Sequence, residues 1–178
     1  GTLKRDLRGA TCIPFDGDSA FDFDGVSVNP VCVPHDAREP TQFVLSDGVE
    51  TIGILSDLGC VTNHVVQQYS CCTHLLVEAN HDLNLLSQGS YPPQLKRRVA
   101  ADYGHLNNQQ AFELVSRLAH ADLKVVVGHI SEQNNCLNLL ERLFLPLHNS
   151  LASLNYATQA DGFGWIGAQP LKRQMSFA

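Results

Sequence analysis

The chain has 178 residues, of which 44% are hydrophobic, and this is sufficient for one domain with a substantial core. The formal net charge of −6 argues against a protein that coats nucleic acid in general, because such proteins are normally basic. No apolar run approaches the length of a membrane-spanning helix, about 18 residues, and residues 1–6 have no signal-peptide character. Six cysteines without a C-x-x-C pair indicate reduced thiols, so we expect a single cytoplasmic domain over residues 1–178 with no membrane contact.

Two β-hairpins are predicted in the first third of the chain. Short runs of β-branched and aromatic residues flank Asp24-Gly25 and Asp47-Gly48, which is typical of tight hairpin turns. The first hairpin covers residues 19–33 and the second covers residues 42–55.

Beyond residue 55, apolar runs of strand length alternate with stretches of helical periodicity, which is typical of an α/β layer. Thr62 and Asn107 are expected helix N-caps, and Pro146 is expected to kink or shorten the last helix. The predicted helices are 62–69, 82–89, 94–101, 108–120 and one from 137, and the predicted strands are 75–77, 123–127 and a tail edge strand at 162–167.

Three of the predicted buried strands end directly in acidic or histidine residues. Asp57, Glu78 and His129 each come after an apolar run of strand length, and His35 follows a further apolar stretch. Because the carboxyl ends of such strands lie along one edge of a sheet, these side chains are expected to meet there. Mixed histidine and carboxylate sets are the ligands that hard or borderline dications prefer. The leading hypothesis is therefore a metal-assisted hydrolase site.

Each of these residues also has a structural explanation when it is taken alone. Asp57 is equally suited to capping the turn that follows it, and a single strand-end histidine such as His129 is more often hydrogen-bonded than a ligand. His105, which precedes a predicted helix, fits either contact with an anionic substrate group or a surface position beside the cap. The basic run 96–98 is either a solvated face or a contact to a phosphate backbone.

Five short segments carry a resemblance to a known family. They are 34–40 (PHDAREP), 56–59 (SDLG), 78–82 (EANHD), 104–108 (GHLNN) and 128–132 (GHISE). In this order they resemble the motifs of the metallo-β-lactamase fold superfamily, and most of all its YycJ/WalJ-type metal-dependent hydrolases. The resemblance implies an α/β fold with a four-layer αββα architecture, of which this chain supplies roughly the C-terminal two-thirds.

The same resemblance implies a role for each site residue. His35 and His129 correspond to metal ligands, and Asp57 corresponds to the carboxylate that bridges two metals. His105 is implied to act at a scissile phosphate, with Glu78 orienting it, as in ribonuclease Z-like phosphodiesterases. The implied cofactors are two divalent metal ions, zinc or manganese.

The complete protein is thus expected to be a dinuclear-metal phosphodiesterase or nuclease, exonuclease-like, with nucleic acid as its substrate. Substrate contacts are assigned to Asn80, Lys96 and Arg97. Two alternatives stay open: a hydrolase of a small ester, thioester or lactone, since this fold hosts many chemistries, and a degenerate domain that binds without catalysis.

One part of the family pattern is missing from the chain. The H-x-H-x-D-H motif, which supplies several metal ligands in the superfamily, is absent from residues 1–34, and that segment contains no histidine. Because His35, Asp57 and His129 all remain, we expect truncation rather than degeneracy. For this chain alone we expect weakened metal affinity and little or no hydrolysis, since three protein ligands are fewer than two metals require.

Overall fold

A mixed β-sheet of seven strands organises residues 13–166, the part of the chain that the computed structural model describes. The strands lie side by side in chain order. They are β1 (Phe21–Phe23), β2 (Val26–Cys32), β3 (Thr41–Ser46), β4 (Thr51–Leu55), β5 (His74–Glu78), β6 (Lys124–Gly128) and β7 (Ser153–Tyr156). The helices are α1 (Asn63–Tyr69), α2 (Leu83–Gln88), α3 (Pro93–Val99), α4 (Asn108–Leu118) and α5 (Leu137–Phe144). Within the described range, none of the helices has the length and apolarity needed to span a bilayer.

Strands β1 to β4 are antiparallel and confirm both predicted hairpins. The first turn lies at Asp24 and Gly25, whose φ angles of 51° and 80° are the left-handed values that a tight hairpin turn requires. The second turn has Gly48 at a φ of 87°, and the Asp47 carboxylate accepts a hydrogen bond from the Val49 amide. Both turns therefore form where the chain has residues that tolerate positive φ or bond their own backbone.

Strands β4 to β7 are parallel, so the helices between them return the chain each time to the edge of the sheet at which the strands begin. The register pairs Leu55 with Val77 and Glu78 with Gly128, so neighbouring strands end nearly level with one another. The residues that follow these strands consequently lie along one edge, the carboxyl edge of the sheet.

The last part of the chain differs from the sequence-based prediction in one element. The helix α5 ends at Phe144 and continues as a 3₁₀ turn at Leu145–Leu147, which confirms that Pro146 shortens it. The edge strand is β7 rather than the glycine-rich stretch 162–167, so that prediction was wrong. Glycine has no side chain to pack on a sheet, and residues 162–166 add only an isolated bridge at Gly162. Residue 167 lies outside the described residues.

The helices α1, α4 and α5 cover one face of the sheet and form the core with it. Each contributes at least two fully buried residues, among them Val65 and Tyr69, Leu114 and Val115, and Leu140 and Phe144. Burying one such side chain stabilises the fold by about 1.5–3 kcal/mol. On the strands, alternate residues such as Leu55, Val77 and Val127 belong to the same core. The strand ends that hold the polar residues are therefore anchored by the core on one face of the sheet.

Candidate metal centre and active site

The polar residues predicted at the strand ends come together at the carboxyl edge of the sheet. Glu78 is the last residue of β5, and Asp57 and His129 lie just beyond β4 and β6. His105 joins them from the loop that precedes α4. One ligand atom from each of these four residues lies within 4.8 Å of the ligand atoms of the other three. The predicted meeting of Asp57, Glu78 and His129 at one edge is confirmed by this geometry, whereas His35 is not among the four residues of this group.

Two histidines share the Glu78 carboxylate. Oε2 of Glu78 lies 2.8 Å from Nδ1 of His129 and 3.2 Å from Nδ1 of His105. A carboxylate that is ionised can only accept hydrogen bonds, so both imidazoles donate from Nδ1. The Glu78 side chain is fully buried, whereas those of His105 and His129 are 22% and 37% exposed. The acid therefore lies behind the histidines, and the histidines face the solvent.

Backbone amides complete the environment of Glu78. Oε1 accepts from the amides of Leu58 and Leu106, each at 2.9 Å, and Oε2 accepts from the amide of Asp57 at 3.0 Å. Burial acts to raise the pKa of Glu78, but the hydrogen bonds from the two histidines and from the amides outweigh it and hold the pKa at about 2. Glu78 is thus a charged carboxylate whose buried oxygens are satisfied by five donors.

The third histidine, His35, is oriented in the same way by a different acceptor. Its Nδ1 lies 2.9 Å from the carbonyl oxygen of Gly104, which can only accept. The ring centroid of His35 lies 5.3 Å from that of His105, which in turn lies 5.1 Å from that of His129. With Nδ1 protonated in all three, each neutral imidazole carries its lone pair on Nε2. Such fixed tautomers are characteristic of metal-binding and proton-transferring histidines.

The backbone is strained at two of the site residues. Asp57 and His129 have φ angles of 53° and 50°, in the left-handed region that residues with a Cβ seldom adopt. Their surroundings hold them there: the Asp57 amide donates to Glu78, and the His129 carbonyl accepts from Nδ2 of Asn80 at 3.2 Å. In addition, the Ser131 amide donates to the Asn80 carbonyl at 2.9 Å. Asn80 therefore supports the loop that presents His129.

The donor set fits divalent metal ions. Nε2 atoms of His35 and His129 and the carboxylate of Asp57 are the nitrogen and oxygen ligands that zinc and manganese accept. Oδ1 of Asp57 lies 3.6 Å from Nδ1 of His105 and 3.9 Å from Nδ1 of His129, so the carboxylate is central to the cluster. Glu78 is already saturated by five donors, which suits it to orienting the histidines rather than to binding an ion directly.

His35 has further support that the sequence pattern did not reveal. The adjacent Asp36 forms an ion pair with Arg98 on α3, in which Nε donates to Oδ2 and Nη2 lies 3.2 Å from Oδ1. The hydrogen bond from Arg98 holds the pKa of Asp36 below its usual value. An acidic residue next to His35 was visible in the sequence, but its partner is 62 positions away.

The three predicted substrate-binding residues lie in different places. Asn80 lines a cavity beside His105 and His129. Lys96 extends towards α2, where Nζ donates to the Ser87 carbonyl at 2.7 Å, and Arg97 is exposed on α3. Neither basic residue lines that cavity, so their contact with a substrate stays a prediction that requires a ligand extending beyond it.

Replacement of Gly104 by alanine tests the packing of the loop whose carbonyl oxygen accepts from His35. A Cβ at this position would lie 2.3 Å from the carbonyl oxygens of both Arg98 and Val99, so the backbone that carries the acceptor for His35 must move. We expect a loss of about 1–3 kcal/mol in the free energy of unfolding, measured by thermal denaturation. Gly164→Ala is the matched control, because its added Cβ meets nothing within 4 Å. Equal stability of the two variants would contradict this description of the loop.

Comparison with known proteins supports the fold and the family resemblance. No family model matches the chain. It is 30% identical over 140 residues to the exodeoxyribonuclease WalJ of Streptococcus pneumoniae, which covers 78% of this chain and 51% of that protein. It is 28% identical over 118 residues to the exodeoxyribonuclease YycJ of Bacillus anthracis, which covers 66% of this chain and 45% of that protein. The chain thus spans about half the length of the curated relatives it matches.

Solved structures agree on the architecture. The metallo-β-lactamase fold protein YhfI of Bacillus subtilis superposes with a TM-score of 0.60 at 15% identity, over 86% of this chain and 55% of that one. The zinc-bound PqqB of Methylobacterium extorquens superposes with a TM-score of 0.53 at 16% identity, over 84% and 53% of the two chains. The predicted resemblance is confirmed: the chain has the metallo-β-lactamase fold and is a relative of the WalJ and YycJ exodeoxyribonucleases.

Proposed function

We propose that the full-length protein is a metal-dependent phosphodiesterase that degrades nucleic acid as an exonuclease. The observation that carries this proposal is the pair of imidazoles, His105 and His129, held by one buried, charged carboxylate beside Asp57. The names of the WalJ and YycJ relatives support a DNA substrate. The five cysteines of residues 13–166 are free thiols, which fits the reducing cytoplasm.

His35, Asp57 and His129 would hold the metal, with Asp57 bridging two ions of zinc or manganese. When bound, the ions lower the pKa of a coordinated water and polarise a phosphoryl oxygen. Hydrogen bonds to Glu78 hold Asp57 and His129 in place despite their left-handed backbone, so little reorganisation is needed to form the site.

His105 is the proposed general acid. Its Nδ1–H is donated to Glu78, so a protonated imidazole carries its second proton on Nε2, from which the phosphate or the leaving oxygen accepts it. The charged Glu78 carboxylate fixes the Nδ1–H of His105, so proton exchange with a substrate takes place at Nε2. Transfer of the Nε2 proton to the leaving oxygen returns His105 to its neutral form with Nδ1 protonated, which is the tautomer that the contact with Glu78 favours.

End-directed cleavage distinguishes this proposal from the alternatives. The purified full-length protein, supplied with zinc or manganese, is incubated with linear and covalently closed circular DNA of the same sequence. We expect mononucleotides from the linear DNA, an intact circle, and binding that weakens as salt rises because phosphate contacts release counterions. Rapid hydrolysis of a thioester or lactone with both DNAs intact would instead establish a small-ester hydrolase. If the protein binds less than one equivalent of metal and hydrolyses none of these substrates, only the alternative of a degenerate domain that binds without catalysis would remain.

A further inference from the structure

A cavity of about 470 Å³ adjoins the histidine cluster. His105 and His129 line it on the side of the proposed metal centre, and α3 provides an apolar wall through Leu95 and Val99, which are one helical turn apart. Tyr91, which precedes α3, extends this wall with an aromatic ring. The volume lies within the range of about 300–1,000 Å³ that is typical of small-molecule sites.

The charges around this cavity disfavour a phosphate inside it. Its described lining residues include no lysine or arginine, and they include one carboxylate, Glu132. Among the basic residues of α3, Lys96 donates to the Ser87 carbonyl and Arg98 is paired with Asp36, whereas Arg97 is exposed and does not line the cavity. A phosphodiester held at the histidine cluster would therefore have its charge outside the cavity and an uncharged group within it.

The lining matches a flat group with apolar faces and polar edges. The apolar side consists of the Tyr91 ring and two aliphatic residues, and aromatic rings stack on nucleobases whatever their identity. The lining also includes Asn80, Gln133 and Gln159, whose carboxamides both donate and accept and so can pair with the edges of bases. A nucleobase has both properties, and it is separated from its own phosphate by a single sugar.

We propose that this cavity is a nucleobase subsite, which receives the base of the nucleotide whose phosphate lies at the histidine cluster. Tyr91 provides the stacking surface, and the carboxamides contact the edge of the base without strict selection among bases. The subsite rests on the proposed phosphodiesterase function, because that function places the phosphate. It explains how an end of a strand is held by a chain whose formal net charge is −6.

Binding of two ligands that differ only in the base tests the subsite without requiring catalysis. Deoxyadenosine 5′-monophosphate and deoxyribose 5-phosphate are titrated calorimetrically into the full-length, metal-loaded protein. We expect the nucleotide to bind at least tenfold more tightly, and Tyr91→Ala to remove most of that difference, since stacking on one aromatic ring accounts for about a tenfold effect or more. Tyr91→Phe should keep the preference. Tyr103→Ala is the matched control, because Tyr103 is 62% exposed and does not line the cavity.

The outcomes separate this inference from the proposed function. Equal affinity for the two ligands, including no binding of either, overturns the nucleobase subsite even if the protein degrades DNA. A base-dependent affinity that is lost in Tyr91→Ala and kept in Tyr91→Phe supports the subsite even if no DNA is degraded. If Tyr91→Ala fails to fold, Gln159→Ala, at an exposed position, is measured in its place. The proposal is overturned if Gln159→Ala keeps the full preference for the nucleotide while Tyr91→Phe loses it.

Discussion

Replacing Asp57 with asparagine in the full-length protein is expected to lower kcat/KM on a phosphodiester by about three orders of magnitude, which corresponds to ~4 kcal/mol of transition-state stabilisation. Asparagine keeps the size of the side chain and is among the residues that tolerate a φ near 53°, so the backbone should stay in place. What it removes is the negative charge that a bridging ligand needs. Bound metal, measured by elemental analysis, should fall in parallel with turnover.

The control for Asp57→Asn is the same change at Asp122. This residue is exposed and precedes β6, so it lies at the opposite edge of the sheet from the cluster. Asp122→Asn should leave turnover and metal content unchanged. Wild-type metal content and turnover in Asp57→Asn would show that this carboxylate only caps its turn, which is the structural alternative for Asp57.

The second large effect is expected at Glu78, where Glu78→Gln should destabilise the protein by about 3–5 kcal/mol. The change keeps the shape of the side chain but turns one accepting oxygen into a donor. Oε1 receives two donors and Oε2 receives three, so either orientation of the carboxamide leaves at least two donors facing an NH₂ group. Denaturant or thermal unfolding measures the loss. Glu113→Gln, at an exposed position on α4, should change stability by no more than about 0.5 kcal/mol.

The stability that Glu78 contributes depends on pH, and the direction of this dependence is defined. The pKa of Glu78 is about 2 in the folded protein, below the ordinary value of 4.5, so its ionised form favours folding. That stabilisation is complete above about pH 4.5 and is lost as the pH falls towards 2. The stability difference between wild type and Glu78→Gln should therefore narrow over this interval. A difference that stays constant from pH 6 to pH 2 would contradict the charged state of Glu78.

Much of this site was predictable because it depends on strand ends. The end of an apolar run predicts where a buried strand ends. Parallel strands that end level with one another bring the residues that follow them together. Asp57, Glu78 and His129 were identified in this way. The role of His105 came from the family resemblance, and its hydrogen bond to Glu78 agrees with that resemblance.

Other features depended on contacts that no local pattern contains. The pairing of Arg98 with Asp36 and the saturation of Glu78 by amides from two distant loops arise only when α3 and the loops pack. The 3.2 Å contact between Ser56 Oγ and His129 Nδ1 joins residues 73 positions apart, although Ser56 lies next to the predicted Asp57. The position of the edge strand β7 was missed because its four residues carry less apolar signal than the glycine-rich tail that follows.

The left-handed backbone at Asp57 and His129 has a consequence for how this sequence can change. Glycine would relieve the unfavourable φ at either position, so selection for stability alone would drive both residues away from aspartate and histidine. Their presence means that the chain forgoes some stability in order to display a carboxylate and an imidazole there. A lineage that lost the proposed reaction would be free to drift first at these two positions, well before the buried Glu78, whose replacement is expected to destabilise the protein as well.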